Sequence, residues 1–142
     1  MEKHPQARAP DHVFGLTVSF GDCDPAGIVF YPNFYRWFDA CFHDFLSARA
    51  EGHAALCTRL GAIGIGLIDS GAAFRNPLRP GDRLTLELRL DRWSSRSLRL
   101  AYHGHCDGRL IVEGHELRGI FVEGADGIRA GPMGPLQAIL CA

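Results

Sequence analysis

The longest helical pattern in the chain follows a proline at position 32. Large apolar side chains recur three or four residues apart within NFYRWFDACFHDFLSARAEG, at Phe34, Trp37, Phe38, Cys41, Phe45 and Ala48. Pro32 suits the first helical position, where its missing N–H costs nothing, and Gly52 suits the end of a helix. The pattern predicts a largely buried, aromatic-rich helix over about residues 32–52, followed by a short helix over 53–60.

Extended patterns lie on both sides of these helices. They predict strands or extended stretches at residues 12–20, 63–76, 84–91, 96–106 and 109–123. The clearest is the third, in which leucines alternate with polar residues as in a half-buried strand. Asp107-Gly108 is a strong two-residue hairpin turn between the last two.

The order of these elements indicates the architecture. One strand precedes the long helix, and four strands joined mainly by hairpins follow it. An antiparallel five-stranded sheet wrapped around a central helix satisfies this order, so we expect an α+β fold. Self-association would cover the edges of such a sheet. We assign residues 1–11 to a flexible N-terminal tail and residues 12–142 to one domain.

Composition narrows the class of protein. A chain of 142 residues suits one domain, and 46% hydrophobic residues supports a core. A net charge of -1 gives no general attraction to nucleic acid or to an anionic membrane. There is no run of about 18 apolar residues and no apolar leader. We therefore expect a cytoplasmic protein with neither nucleic-acid nor membrane partners.

Metal and disulfide chemistry is not indicated. The five cysteines are widely spaced without a C-x-x-C motif, which predicts reduced, mostly buried thiols. His103, His105 and His115 lack a fourth ligand at a suitable spacing, and histidines on a surface or interface are the simpler interpretation. We expect no metal and no cofactor.

Acidic residues and a bend precede the long helix, in GDCDPAGIVFYPN at residues 21–33. The first N–H groups of a helix have no intrahelical partner and favour negative charge. Since Pro32 has no N–H, the amide of Tyr31 or Asn33 is open to an oxyanion, and Asp24 could attack a carbonyl or activate water. The structural alternative is that the acids cap the helix and the Asp-Pro pair is only a turn.

The sequence GDCDPAGIVFYPNFYRWFDACF, residues 21–42, closely resembles the signature of the 4-hydroxybenzoyl-CoA thioesterase family of hotdog-fold enzymes. The segments RPGDRLTLEL, WSSRS and LQAILC resemble the same family, so the likeness runs from about residue 12 to the end. The resemblance implies a hotdog fold, with a sheet around a long central helix. It also implies hydrolysis of an acyl-CoA thioester with water as the second substrate.

The resemblance implies roles for individual residues. Asp24 is the catalytic carboxylate, as nucleophile or general base, and Tyr31 supplies the amide that polarises the thioester carbonyl. Asp39 meets the ring hydroxyl of a hydroxybenzoyl group. Arg96 and Ser97 fall where the family contacts CoA, although this segment has fewer basic residues than the family pattern. A thiol carrier other than CoA therefore stays open.

The stripe formed by Tyr35, Asp39 and His43 has two interpretations. An unpaired acid is expensive to bury. Asp39 therefore lies either at the bottom of an acyl pocket, where it accepts a phenol hydrogen bond, or on a face toward solvent or another subunit.

The predicted function is hydrolysis of an aromatic, hydroxybenzoyl-type acyl-CoA by a dimer or homotetramer, in the degradation of aromatic compounds. The alternatives are a thioesterase of the same fold for short aliphatic acyl-CoAs and a non-catalytic acyl-CoA-binding domain. The presence of Asp24 before Pro25 argues against the non-catalytic alternative.

Overall fold

A sheet of six antiparallel strands curls around one long helix in the computed structural model, which describes residues 8–142. The strands are His12–Thr17 (β1), Gly64–Phe74 (β2), Arg83–Trp93 (β3), Leu98–Cys106 (β4), Arg109–Gly124 (β5) and Gly127–Ala130 (β6). The helices are Pro32–Ala50 (α1), His53–Leu60 (α2) and Gly134–Leu140 (α3). The strand order is β1-β3-β4-β5-β2, and β6 pairs with the end of β5, so β1 and β2 form the edges.

The predicted antiparallel α+β architecture is confirmed, with one strand more than the five predicted. The first strand ends at Thr17 and not at residue 20, because a 3₁₀ turn over Phe20–Asp22 follows it. Helix α1 ends at Ala50, where Glu51 adopts a left-handed conformation with φ of 66°.

The hairpin between β4 and β5 confirms the predicted turn. Asp107 and Gly108 have φ values of 50° and 77°. Positive φ at both central residues is the requirement of a type I′ turn, whose twist matches that of the flanking strands. This local sequence therefore determines how β4 and β5 are joined.

Part of the predicted N-terminal tail is held against the sheet. The Asp11 N–H donates to the Leu88 carbonyl at 2.8 Å, and the Asp11 carboxylate accepts the Leu90 N–H at 2.7 Å. Through these bonds the residue before β1 also pairs with β3. Residues 1–7 lie outside the described residues.

The core lies between α1 and the concave face of the sheet. Phe38 stacks on Tyr102 of β4 with ring centroids 4.6 Å apart, and both side chains are fully buried. Gly114 of β5 makes room for this stack, since a Cβ at that position would lie 2.4 Å from the Phe38 ring. Helix α1 is therefore fixed against β4 and β5, which sets the position of its N-terminus. None of the helices described is long and apolar enough to span a membrane.

Candidate active site

Asp24 lies in a tight loop between β1 and α1. Its carbonyl accepts the Gly27 N–H at 2.9 Å, and its own N–H donates to the Ile28 carbonyl at 2.9 Å. Its carboxylate Oδ1 accepts the Ala26 N–H at 2.9 Å. Gly27 has φ of +78°, which a glycine adopts without steric cost. The loop thus holds the Asp24 backbone from both sides and one of its carboxylate oxygens, while Oδ2 has no hydrogen-bond partner within residues 8–142.

The N-terminus of α1 offers one open amide. The Asn33 N–H donates to the Phe30 carbonyl at 3.0 Å, and the Phe34 N–H donates to the Tyr31 carbonyl at 3.1 Å. Pro32 has no N–H. The Tyr31 N–H makes no hydrogen bond within the described part of the chain. Of the two amides that the sequence left open, Tyr31 is therefore the one available to a ligand.

A cleft of about 520 Å³ brings Asp24 and Tyr31 together. Its apolar walls include Phe34 of the helix and Phe74 at the end of β2, whose rings lie 5.3 Å apart. The Tyr31 ring lies 6.2 Å from that of Phe74. Asp24 and Tyr31 thus line one aromatic-walled cleft.

A side chain that the sequence analysis did not single out ties this loop to the helix. The Asn33 amide Nδ2 donates to the Asp22 carbonyl at 2.8 Å, and the Phe30 N–H donates to the same oxygen at 2.9 Å. Asp22 itself accepts the Ser19 N–H on its carboxylate at 2.8 Å, so it acts as a turn residue. The signal was the position of Asn33 in the first turn of the helix, where Asn side chains often bond to local backbone.

Cys23 lies between the two acidic residues of the loop, Asp22 and Asp24. Partial burial, and then the charges of Asp22 and Asp24, raise the pKa of its thiol. A thiol must ionise to attack, so these neighbours suppress its reactivity at neutral pH.

Asp39 lies outside the cleft, in an ion pair. The Arg118 Nη2 of β5 donates to its Oδ1 at 2.8 Å, and the His43 Nε2 lies 3.5 Å from the same oxygen. The Asp39 side chain is 56% exposed, whereas that of Arg118 is only 4% exposed. The polar stripe of α1 therefore faces a buried arginine on one side and the surface on the other.

Arg118 belongs to a buried network that the sequence did not reveal. It forms two hydrogen bonds of 3.0 Å to the carboxylate of Glu116, which also accepts the Tyr102 hydroxyl at 2.6 Å. Burial, and then the charge of Glu116, raise the pKa of Tyr102, so the phenol stays protonated and donates. Glu116 and Arg118 lie on the inward face of β5 together with Gly114. The two-residue spacing, which places side chains on one face of a strand, was the only sequence signal for this pair.

Arg96 and Ser97 form the turn between β3 and β4, also outside the cleft. The hydroxyls of Ser94 and Ser97 lie 2.6 Å apart, and the Ser94 N–H donates to the Ser97 carbonyl at 2.8 Å. The Arg96 side chain is exposed and makes no hydrogen bond or ion pair within residues 8–142. It is available to an anionic group.

The predicted site residues lie at two ends of the sheet. Phe74 pairs with Val112 at the end that carries the cleft. Arg118 pairs with Leu67 of β2 and with Leu98 of β4, which directly follows the turn. One chain thus brings Asp24 and Tyr31 together, and places Asp39, Arg96 and Ser97 toward the opposite end.

The described residues contain no group of three or more His, Cys, Asp or Glu side chains arranged to hold a metal ion. His103 and His105 pair instead with Glu113 and Glu87, at 3.9 and 3.4 Å on the convex face of the sheet.

Residues 18–127 match the family model of the thioesterase-like superfamily. The chain belongs to the thioesterase-like superfamily. The loop with Asp24, helix α1 and all of β2 to β5 fall within the matched region. The predicted hotdog thioesterase family is therefore confirmed.

The relatives within this superfamily act on CoA thioesters according to their names. The 4-hydroxybenzoyl-CoA thioesterase of Pseudomonas sp. (strain CBS-3) is 33% identical over 81 residues, which are 56% of this chain and 57% of that enzyme. The sequence match thus spans little more than half of its length. A 1,4-dihydroxy-2-naphthoyl-CoA hydrolase of Prochlorococcus marinus (strain MIT 9313) is 25% identical over 102 residues, 68% of each chain.

Solved structures extend the likeness over nearly the whole chain. That of the Pseudomonas enzyme superposes with a TM-score of 0.82 at 26% identity, covering 91% of this chain and 97% of that one. A gentisyl-coenzyme A thioesterase superposes with a TM-score of 0.73 at 30% identity, covering 86% and 95%. The prediction of an acyl-CoA thioesterase agrees with these relatives.

Proposed function

We propose that this protein hydrolyses aromatic acyl-CoA thioesters, of the hydroxybenzoyl type, to the free acid and CoA. The observation that carries the proposal is that Asp24 and Tyr31 line the same aromatic-walled cleft, and that the Tyr31 N–H has no hydrogen-bond partner among the described residues. Three of the named relatives act on hydroxylated aroyl thioesters, which supports the same substrate class here.

The Tyr31 amide acts on the thioester carbonyl. Its N–H donates to the carbonyl oxygen, and the positive end of the α1 dipole favours the negative charge that develops there. Since this donor has no partner within residues 8–142, the substrate carbonyl displaces no hydrogen bond of the described chain.

Asp24 acts on the carbonyl carbon. As a nucleophile its carboxylate forms an acyl-aspartyl anhydride and expels the CoA thiolate, and water then hydrolyses the anhydride. As a general base it removes a proton from the attacking water. In both cases the backbone bonds of the loop hold Asp24 beside the cleft.

The cleft walls suit an aromatic acyl group. The rings of Tyr31, Phe34 and Phe74 form a surface for offset or edge-on contacts, which are worth about 0.5–1.5 kcal/mol each beyond area burial. A short aliphatic chain would leave most of this aromatic surface exposed to water.

The site is completed by a second copy of the chain. Strand β2 is an edge strand whose Leu67, Ile68 and Phe74 are about half exposed, and an exposed apolar edge invites pairing with another strand. Two-fold antiparallel pairing of β2 with its copy places the Phe74 end of one chain against the Gly64 end of the other. The partner subunit's Asp39, Arg96 and Ser97 then lie toward the cleft, where they contact the acyl hydroxyl and the CoA moiety.

A substrate panel tests this function. Thiol release by the wild type is measured with 4-hydroxybenzoyl-CoA, 3-hydroxybenzoyl-CoA, benzoyl-CoA and butyryl-CoA. We expect kcat/KM for a hydroxybenzoyl thioester to exceed that for butyryl-CoA by about tenfold or more. A preference for butyryl-CoA would overturn the aromatic assignment, and no turnover with tight CoA binding would overturn the hydrolase. Tetrameric assembly, a cytoplasmic location and a role in degrading aromatic compounds stay predictions.

A further inference from the structure

Arg118 is a buried cation that is fixed on its core side. Its guanidinium forms a two-pronged pair with Glu116, through Nε to Oε1 and Nη2 to Oε2, both at 3.0 Å. Its Nη1 donates to the Ile65 carbonyl at 3.3 Å, and its Cζ lies 4.3 Å from the centre of the Phe42 ring. An arginine held by a planar pair, a carbonyl and an aromatic face has almost no freedom to reorient.

Arg118 keeps its positive charge although it is buried. Burial by itself would lower its pKa, but hydrogen bonds and attraction to Glu116, and then the bond to Asp39, raise it. Glu116 is in turn held by the protonated Tyr102. The network therefore presents a permanent positive group at a fixed place beneath α1.

The remaining interaction of Arg118 reaches toward the surface. Its Nη2 donates to Asp39 Oδ1 at 2.8 Å, while Asp39 Oδ2 has no hydrogen-bond partner within residues 8–142. Exposed ion pairs are usually weak because two flexible side chains must be ordered. Here the arginine is already ordered by Glu116, so only the short Asp39 side chain is fixed by the pair.

We infer that Arg118 is the positioning residue for acyl recognition: it holds the Asp39 carboxylate in one orientation, with Oδ2 left to accept the hydroxyl of a hydroxylated aroyl group. The inference rests on the proposed function, in which Asp39 of one chain reaches the cleft of the second copy, and it assigns selectivity within the aroyl class. A carboxylate that is already oriented accepts the phenol hydroxyl without a further entropic cost for ordering its side chain. A substrate without the hydroxyl desolvates the charged oxygen and returns no hydrogen bond, so it is disfavoured.

The competing interpretation is that Arg118 only neutralises the buried Glu116. Removing Arg118 alone would strand that carboxylate and destabilise the fold for a reason unrelated to Asp39. The informative variant is therefore E116Q/R118M, which removes both buried charges and leaves an amide to accept the Tyr102 hydroxyl. Arg118→Lys keeps the charge without the two-pronged geometry.

The readout is the ratio of kcat/KM for 4-hydroxybenzoyl-CoA to that for benzoyl-CoA. We expect Asp39→Asn to lower this ratio about tenfold or more, because one hydrogen bond to a charged acceptor is lost. We expect E116Q/R118M to lower it similarly and the triple variant with Asp39→Asn to lower it no further, since both act through one carboxylate. Arg118→Lys should fall between. kcat/KM for benzoyl-CoA should not fall in any of the variants, because none of them removes a contact to the unsubstituted ring.

Arg89→Met is the matched control. Arg89 is also a buried arginine, with its side chain 8% exposed and paired with Glu87, but it lies on the opposite face of the sheet from the core leucines of β3. It should cost stability and leave the substrate ratio at the wild-type value.

The outcomes separate the two proposals. An unchanged ratio in E116Q/R118M, with a lowered ratio in Asp39→Asn, overturns the positioning role and leaves the proposed function intact. An equal loss for both substrates in E116Q/R118M also overturns it. A wild type that turns over neither aroyl thioester overturns the proposed function, and the positioning role falls with it.

Discussion

Asn33 is bonded to Asp22: its side-chain Nδ2 donates to the Asp22 carbonyl at 2.8 Å, across the loop that carries Asp24. The same carbonyl accepts the Phe30 N–H at 2.9 Å. One oxygen thus connects the start of the loop to its end and to the first turn of α1. Asp24 lies between Asp22 and Phe30 in the sequence, and Tyr31 lies between Phe30 and Asn33, so these bonds enclose both residues.

Removing this connection should weaken catalysis more than stability. We expect Asn33→Ala to lower kcat about tenfold, because small displacements of reacting groups are costly, and to cost about 1 kcal/mol of unfolding free energy for one hydrogen bond. Steady-state thiol release and denaturant unfolding measure the two effects. Ser47→Ala, at an exposed position of the same helix, is the control. A variant that loses stability and keeps full kcat would contradict the positioning role of Asn33.

The Tyr31 amide can be removed without removing the backbone conformation. Tyr31 has φ of -54°, close to the value that proline imposes, so Tyr31→Pro deletes the N–H with little backbone strain. We expect kcat to fall about 10²–10³-fold, as for the loss of one oxyanion donor. Tyr31→Phe keeps the amide and should stay within about threefold of wild type. Equal activity of the two variants, both folded, would show that this amide does not contact the thioester.

The two edges of the sheet allow a test of the second copy. Leu67 on β2 and Val13 on β1 are exposed by 51% and 52% within one chain, so a glutamate is tolerated by the monomer fold at either position. We expect Leu67→Glu to give a monomer by sedimentation and to lose most thiol release, because a charge opposes pairing of the β2 edge. Val13→Glu should keep both assembly and activity. A wild type that sediments as a monomer with full activity would contradict the shared site.

Acid should destabilise the protein through His53. The Ile65 N–H donates to His53 Nε2 at 3.1 Å, which requires that nitrogen to be unprotonated. Burial, and then the charges of His43 and Arg118, lower the pKa of His53 below its ordinary 6.5. The neutral form favours folding, so this stability is complete above about pH 6.5 and is lost as the pH falls from there toward the lowered pKa.

The measurement is the melting temperature at about pH 7.5 and about pH 5.5. His53→Gln, whose side-chain carbonyl still accepts the Ile65 N–H, should show a smaller drop than the wild type. The pKa of His103 is also lowered by burial, so part of the drop should persist. A drop of unchanged size in His53→Gln would contradict the assignment.

The regular parts of the fold could be predicted because their signals are local. The helical spacing of apolar residues in α1 and the alternation of leucines in β3 each lie within one continuous segment. Asp107-Gly108 likewise specifies its turn by two adjacent residues. Strand β6 escaped prediction because its four residues are all exposed and show no alternation. Helix α3 has only seven residues and begins at Gly134-Pro135, so it lacks a helical period long enough to detect.

The site divides in the same way. Asp24 and Tyr31 belong to one continuous motif, so the sequence placed them together and the fold keeps them together. The pairing of Asp39 with Arg118 joins residues 79 positions apart, and its partner Glu116 reads as a solvent-facing acid in the sequence. Buried ion pairs between distant segments have no local signature, because their cost is met only by tertiary contacts.

The central claim is that Asp24 carries the chemistry of the cleft, and Asp24→Asn tests it most directly. Single-turnover thiol release from 4-hydroxybenzoyl-CoA is compared in wild type and variant, with Asp44→Asn of α1 as control. Asparagine still accepts the Ala26 N–H, so the loop should stay folded while losing its nucleophile or base. We expect the rate to fall about 10²–10⁴-fold with substrate binding retained. A folded Asp24→Asn variant that cleaves the thioester at the wild-type rate would contradict the account.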